Sequence, residues 1–206
     1  MKISILGAGN VGGTLGRLWA AQGHQIMFGV RKIEHAKVQN LLESMDTPAQ
    51  TGSVAEAAAF GEVVLLAVPW VSAFEVITQA GNLTDKVLID VTNTIAPDPL
   101  DKFPSAAETI AGWATGAKVV KAFNTTGAAN LADPKYGPYS IDTFICGDDV
   151  EAKEIATELA QAIGLEVVDV GPLANAALLE SLGQLWAQLA YPLGMGPDIA
   201  FKLLKR

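Results

Sequence analysis

Gly7-Ala8-Gly9-Asn10-Val11-Gly12 is the stretch whose spacing speaks most directly of chemistry. Glycines spaced GxGxxG, after a short apolar strand and ahead of an amphipathic helix, suit a turn that offers backbone N–H groups to a pyrophosphate. Gly7 permits the tight turn, Gly9 lets the backbone approach the phosphates, and Gly12 lets the helix pack close to the sheet. Asn10 and Val11 open the helix, whose first N–H groups have no intrahelical partner and favour an anion. The competing reading is a structural glycine turn. Gly13 and Gly16 extend the run, and so many glycines weaken a helix. Close backbone approach accounts for that cost better than chance does.

The end of the second strand selects between the two nicotinamide dinucleotides. An NAD site places Asp or Glu about 20 residues beyond the glycines to hold the ribose hydroxyls. Here the strand ends on Gly29, followed by Val30, Arg31 and Lys32. Without a carboxylate, a 2′-phosphate meets no repulsion. Arg31 offers a planar multidonor fork and Lys32 a point charge, with His35 one turn further on. A solvated basic start to a helix is the alternative, but cations at a helix N-terminus are slightly unfavourable, so an anion between them explains Arg31 better.

Four further strand ends carry polar or flat residues: Val68-Pro69-Trp70, Asp90-Val91-Thr92-Asn93-Thr94, Asn124-Thr125 after Lys121-Ala122-Phe123, and Gly147-Asp148-Asp149. Ligands of open α/β sheets sit outside such ends. Pro69 and Trp70 could wall the adenine or the nicotinamide riboside, although a packed aromatic explains Trp70 equally well. Asn93 and Thr94 could hold ribose hydroxyls or the nicotinamide amide, and Asn124 and Thr125 the substrate side; all four also suit simple turn caps. Asp148 and Asp149 read as caps of the next helix, and Asp90 as a residue that orients its loop. No residue is assigned a catalytic acid–base role. Tyr136, Tyr139 and Lys121 are weak proton donors, and both histidines lie on the adenine half. Hydride transfer between two heterocyclic rings needs positioning and exclusion of water, and little else from the protein.

Alternating strands and helices position these residues. Strands are expected at 2–6, 25–29, 63–68, 87–91, 118–122, 143–147 and 165–169, with a short edge strand near Thr51. Helices are expected from the glycine run to Gln22, at 32–43, 70–80, 106–115, 150–163 and 173–190, with a short terminal helix near 198–205. Ser53 and Glu56 form a capping box. Val63 to Val68 is apolar on both faces, as in a parallel sheet covered on both sides. The expected fold is therefore α/β: a Rossmann-type, mostly parallel sheet with helices on both faces and a small helical C-terminal extension. One NADP-binding domain spans 1–206, with 172–206 as its helical segment. Leu178, Leu182, Leu185, Trp186 and Leu189 give the last long helix an apolar stripe.

Composition excludes several classes. At 206 residues the chain is too short for this domain plus a full second one, and 17% charged residues argue against disorder. A net charge of −8 without a basic block argues against nucleic acid. Lys202, Lys205 and Arg206 read as a mildly favourable end to the terminal helix. One cysteine, Cys146, reads as a buried hydrophobe, and two distant histidines give no metal signature. No apolar run approaches the ~20 residues of a membrane span, and the chain opens on a strand without a charged leader, so a cytoplasmic protein is expected.

These motifs, in this order, resemble the NADPH-dependent F420 reductases (coenzyme F420:NADP oxidoreductases) and the cytosolic reductase domain of the STEAP ferric reductases. The likeness spans essentially the whole chain and continues through Ala67-Val68-Pro69, Val119 to Thr125, Asp169 to Leu173 and Leu185 to Ala190. It implies NADP as cofactor, coenzyme F420 as second substrate, Arg31 on the 2′-phosphate, and a homodimer. It places the deazaflavin against Thr94, Asn124, Thr125 and Trp186 or a partner's helix, with Lys121 or Lys135 offsetting its anionic tail. Val30 stands where the family has Ser or Thr, which removes one phosphate contact, and Thr94 where it often has Pro. An NADPH-dependent reductase of a flavin or a small imine or carbonyl, or a non-enzymatic NADP(H) sensor, are the alternatives.

Overall fold

The computed structural model describes residues 1–94 and 105–206. Continuous apolar runs become the central strands. β1 (Lys2–Leu6), β2 (Gln25–Gly29), β4 (Val63–Leu66), β5 (Val87–Asp90) and β6 (Lys118–Lys121) join β3 (Gln50–Gly52), β9 (Asp142–Gly147) and β10 (Glu166–Asp169) in an eight-stranded sheet. From one edge its order is β3-β2-β1-β4-β5-β6-β9-β10, so the chain reverses direction across the sheet between β1 and β4. Pairs from β3 to β6 are parallel, as is β9 with β10; β6 with β9 is antiparallel.

The strand period of two divides the core. Ile3, Ile5, Val63, Leu65 and Ile89 face one layer, with α1 (Asn10–Ala21) and α7 (Val150–Ala162); Leu15, Trp19 and Leu159 fill it. Leu6, Val64, Leu66 and Leu88 face the other, with α3 (Val54–Phe60), α4 (Trp70–Ala80), α5 (Ala106–Trp113) and α8 (Ala176–Ala190). Caps set several of the helix starts. Ser53 with Glu56 and Ser105 with Glu108 are capping boxes, and Asp149 accepts from Ala152 N at 2.8 Å. The α2 helix (Ala36–Glu43) starts later than the sequence suggests, because His35 caps it by accepting from Lys37 N at 3.2 Å.

One expectation is corrected, that of a helix at 198–205, and two features go beyond what the sequence suggested. The link from β6 to β9 is no helical crossover: it holds the short α6 (Ala128–Ala132) and a hairpin of β7 (Lys135–Tyr136) and β8 (Tyr139–Ser140), which brings β9 back antiparallel. Residues 198–205 form no helix. Asp142 draws the tail into a strap: its carboxylate takes Lys202 Nζ at 2.9 Å and Leu203 N, while its own N–H donates to Phe201 O at 3.2 Å. Lys202 therefore ends no helix; it bridges Asp142 and Glu166. Finally, the buried face of α8 is Ala176, Leu179, Glu180, Gly183, Trp186 and Ala190, while Leu178 and Leu185 stay exposed.

Candidate functional site

The glycines do different work. Gly7 holds φ at +111°, and a Cβ there would lie 2.4 Å from Ala67 O. At Gly12 a Cβ would lie 2.2 Å from Gly7 O, so any side chain would push α1 off the turn. Gly13 and Gly16 are packing glycines, against Leu41 and the Phe28 ring. Gly9 is unlike all of these. Its backbone, at φ −81° and ψ −168°, suits any residue, and a Cβ would meet nothing within 4 Å. Neither strain nor packing asks for glycine there. The vacant space lies at the N-terminus of α1, whose first turn no side chain caps. A cradle kept clear beside free N–H donors fits a pyrophosphate.

Three cavities sharing residues run along this turn. Gly9, Asn10, Val11, Pro69, Trp70 and Asn93 border the largest, about 570 Å³. The next, about 180 Å³, is bordered by Gly7, Gly29, Arg31, Val68, Ser72, Glu75 and Val76. The third, about 480 Å³, is bordered by Val30, Arg31, Lys32, His35 and Lys37, with no carboxylate among the described residues that line it. Together they run from the Asn93 end past the glycine turn to a cationic end. Arg31 and Lys32 both border this third cavity. Lys37 and the cavity-lining Ser72 and Val76 carry no signal in the sequence, whereas Val68 belongs to a strand end already singled out; Lys37 lies two residues into α2, a position only the helix start reveals.

Beyond Pro69, the loops after β5 and β6 are bound to α8. Phe123, at φ +58°, turns the chain sharply at the end of β6; such a backbone costs a bulky residue of order 1 kcal/mol. That turn sets Asn124 against Asn93: Asn124 Nδ2 donates to Asn93 Oδ1 at 2.7 Å and Asn93 Nδ2 to Asn124 O at 3.0 Å. Gly183 admits this pair, since a Cβ there would lie 2.6 Å from Asn124 O. Thr94 Oγ1 donates to Glu180 at 2.9 Å. Thr125 is buried, and the buried Thr92 Oγ1 and Asn124 Oδ1 have no hydrogen-bond partner among the described residues.

Under these loops lies a buried charge cluster. Lys121 Nζ meets Asp90 Oδ2 at 2.8 Å, Glu180 Oε1 at 3.1 Å and Thr92 O. Asp90 also takes Thr92 N, the loop-orienting role its position suggested, and Glu180 takes the N–H groups of Ala106 and Ala107 at the start of α5. Lys121 therefore neither donates a proton to substrate nor offsets an anionic tail. Lys135 lies exposed on the hairpin, away from these cavities. Trp186 does not border the cleft either: it is buried on Gly127 with its N–H on Ile199 O at 2.6 Å.

The remaining proton donors are no better placed. Tyr136 donates to Asn130 Oδ1 at 2.9 Å, and burial, helped by Asp198 and Asp133, raises its hydroxyl above the usual range. Tyr139 is exposed on the same hairpin. Burial pushes the Cys146 thiol up to about 12, so it stays protonated and inert.

Known proteins resemble this chain in sequence and fold. The family described as NADP oxidoreductase coenzyme F420-dependent matches residues 2–94. The F420-dependent NADP reductase of Methanothermobacter marburgensis is 33% identical, over 92% of each chain. Metalloreductase STEAP3 of Rattus norvegicus is 32% identical over 88% of this chain, which spans only 36% of that protein's length. A solved structure of a candidate F420-dependent NADP reductase from Arthrobacter sp. FB24 superposes over the whole of both chains with a TM-score of 0.88 at 29% identity.

Proposed function

This chain belongs to the coenzyme F420-dependent NADP oxidoreductases, and from that membership we propose that it moves a hydride between NADP(H) and the deazaflavin F420. It is an NADP-dependent oxidoreductase; the acceptor is the proposed part. The observation that supports the reading is Gly9, whose backbone and surroundings would admit a side chain and leave open space beside the start of α1. Gly7, Gly9, Asn10, Val11 and Gly12 would hold the pyrophosphate. Arg31 and Lys32 would hold the 2′-phosphate, with Val68, Ser72 and Val76 lining the adenine cavity. Pro69 and Asn93 would border the nicotinamide, and Thr94 and Asn124 would fix their loops from behind.

When bound, the nicotinamide supplies or takes the hydride at its C4. The chain's own part is to hold two flat rings in register and keep water out. The commitment of Lys121 and Tyr136 to structural bonds supports a reaction that asks the protein for no proton. Anaerobic mixing of the protein with NADPH and F420 should bleach the deazaflavin absorbance. NADPH deuterated on one face of C4 should pass its label directly to the acceptor. No bleaching, with turnover of a carbonyl or imine instead, contradicts the F420 assignment.

A homodimer in the cytoplasm belongs to the same proposal. Val71 beside the nicotinamide-side cavity, Phe74 further along α4, and Leu178 and Leu185 on α8 are apolar and exposed, and a second copy would cover them. None of the described helices is long and apolar enough to cross a membrane. Light scattering should return the mass of two 21.5 kDa chains; the mass of one across micromolar concentrations overturns the dimer.

A further inference from the structure

Two amides beyond the ends of β5 and β6 hold one another in a fixed direction. In a sheet of this strand order, one half of a dinucleotide lies over β1 to β3 and the other over β4 to β6, with the glycine turn between them. On the reading that Arg31 marks the adenosine half, the nicotinamide half falls where Asn93 borders the cavity of about 570 Å³. Asn124 is buried and does not border that cavity. Its Nδ2 donates one hydrogen to Leu179 O at 2.9 Å and the other to Asn93 Oδ1 at 2.7 Å, and Asn93 Nδ2 donates to Asn124 O at 3.0 Å. Leu179 O and Asn124 O are backbone carbonyls, which only accept. Neither side-chain amide can therefore turn over without setting oxygen against oxygen.

The arrangement costs stability twice. Asn124 Oδ1 is buried with no hydrogen-bond partner among the described residues, a penalty that an apolar side chain would not carry. Gly183 lies inside α8, where glycine weakens a helix, and a Cβ there would lie 3.0 Å from both ends of the Asn93 amide and 2.6 Å from Asn124 O. Both concessions serve an Asn93 amide that keeps one N–H and one oxygen lone pair uncommitted among the described residues. Donors already border the same cavity, because α1 and α4 both start there without a side-chain cap. What Asn93 Oδ1 adds is an acceptor in a fixed direction.

We propose that Asn93 Oδ1 accepts from the N–H2 of the nicotinamide carboxamide, and that Asn124 is the positioning residue that keeps this oxygen, rather than Nδ2, turned to the ring. The pair selects dinucleotides whose ring carries a hydrogen-bond donor at that place, and it sets which way the carboxamide lies. This rests on the dinucleotide reading of the cleft and holds whichever acceptor takes the hydride.

The test compares NADP+ with its acetylpyridine analogue, which has a methyl in place of the carboxamide nitrogen, by calorimetric titration. A third ligand, 2′,5′-ADP, lacks the nicotinamide half and reports on the rest of the site. Native protein should bind NADP+ tighter than the analogue by about fivefold or more, the scale of leaving one buried acceptor unpaired. Asn93→Ala should bring that ratio close to one. Asn124→Leu removes no group that touches the ring, yet it should lower the ratio by about twofold or more, because only one bond then holds the Asn93 amide. Both variants should keep native affinity for 2′,5′-ADP. Equal binding of the two dinucleotides by native protein, or a ratio unchanged in either variant, overturns the proposal. If Asn124→Leu loses 2′,5′-ADP in parallel, the residue serves the fold and its positioning role is overturned, while Asn93→Ala still decides the carboxamide contact. Native protein that binds neither NADP+ nor 2′,5′-ADP contradicts the dinucleotide reading itself, and the proposal falls with it.

Discussion

Gly9→Val is expected to lower NADPH affinity by about a hundredfold or more while the protein stays folded. Valine meets no steric conflict within the chain, because a Cβ at this position has nothing within 4 Å and the backbone is already extended. Its branches would fill the space in front of the α1 N-terminus. Losing two charge-assisted hydrogen bonds there, each about 1.5–3 kcal/mol, gives the expected factor. The same change at Gly7 or Gly12 should behave differently, since a Cβ would lie within 2.4 Å of backbone oxygen at each; those variants should lose stability first. Calorimetric titration beside circular dichroism separates the cases. Undiminished affinity in folded Gly9→Val would reduce the turn to a structural feature.

Lys121→Met should destabilise the fold by about 3–5 kcal/mol, the usual cost of leaving buried charges without their partner. Methionine fills similar volume, so the loss is electrostatic. Asp90 and Glu180, both buried, would face each other with no cation between them. The α5 N–H groups on Glu180 and the Thr92 N–H on Asp90 compensate only in part. Combining Lys121→Met with Asp90→Asn and Glu180→Gln should recover much of the loss, because removing a whole charge cluster costs less than removing one member. Urea denaturation of both variants decides it. A Lys121→Met protein within 1 kcal/mol of native stability would mean that the cluster contributes little. Since Glu180 also holds Thr94 and the start of α5, nicotinamide-side affinity should fall with stability.

The half of the molecule that carries the glycine turn was legible because each instruction there is local. Residues 2–6 and 25–29 are apolar runs ended by glycine or a polar residue, and the strands occupy those residues. The glycine spacing and the absent acid after Gly29 need no knowledge of the rest of the chain. The other half depends on contacts between distant residues. Glu180 reads as a solvated helix residue until α8 is rotated so that Leu179 and Gly183 face inward; its one signal was a carboxylate within the buried i, i+3, i+4 set. Lys121 closes an apolar strand, and its partners are 31 and 59 positions away. The tail carries helix-like apolar spacing, but the carboxylate of Asp142 holds it extended from 61 positions upstream. The short hairpin at 135–140 turns on Gly137-Pro138, and the link that carries it holds only the five-residue α6 in place of a crossover helix.

The claim on which the rest stands is that this cleft is an NADP(H) site read by Arg31. Parallel fluorescence titrations of NADPH and NADH against native protein and Arg31→Ala test it most directly. Native protein should prefer NADPH. Arg31→Ala should weaken NADPH by roughly 1–3 kcal/mol, about 5- to 150-fold, and leave NADH nearly unchanged. A native preference for NADH, or an equal loss for both dinucleotides in Arg31→Ala, would contradict it.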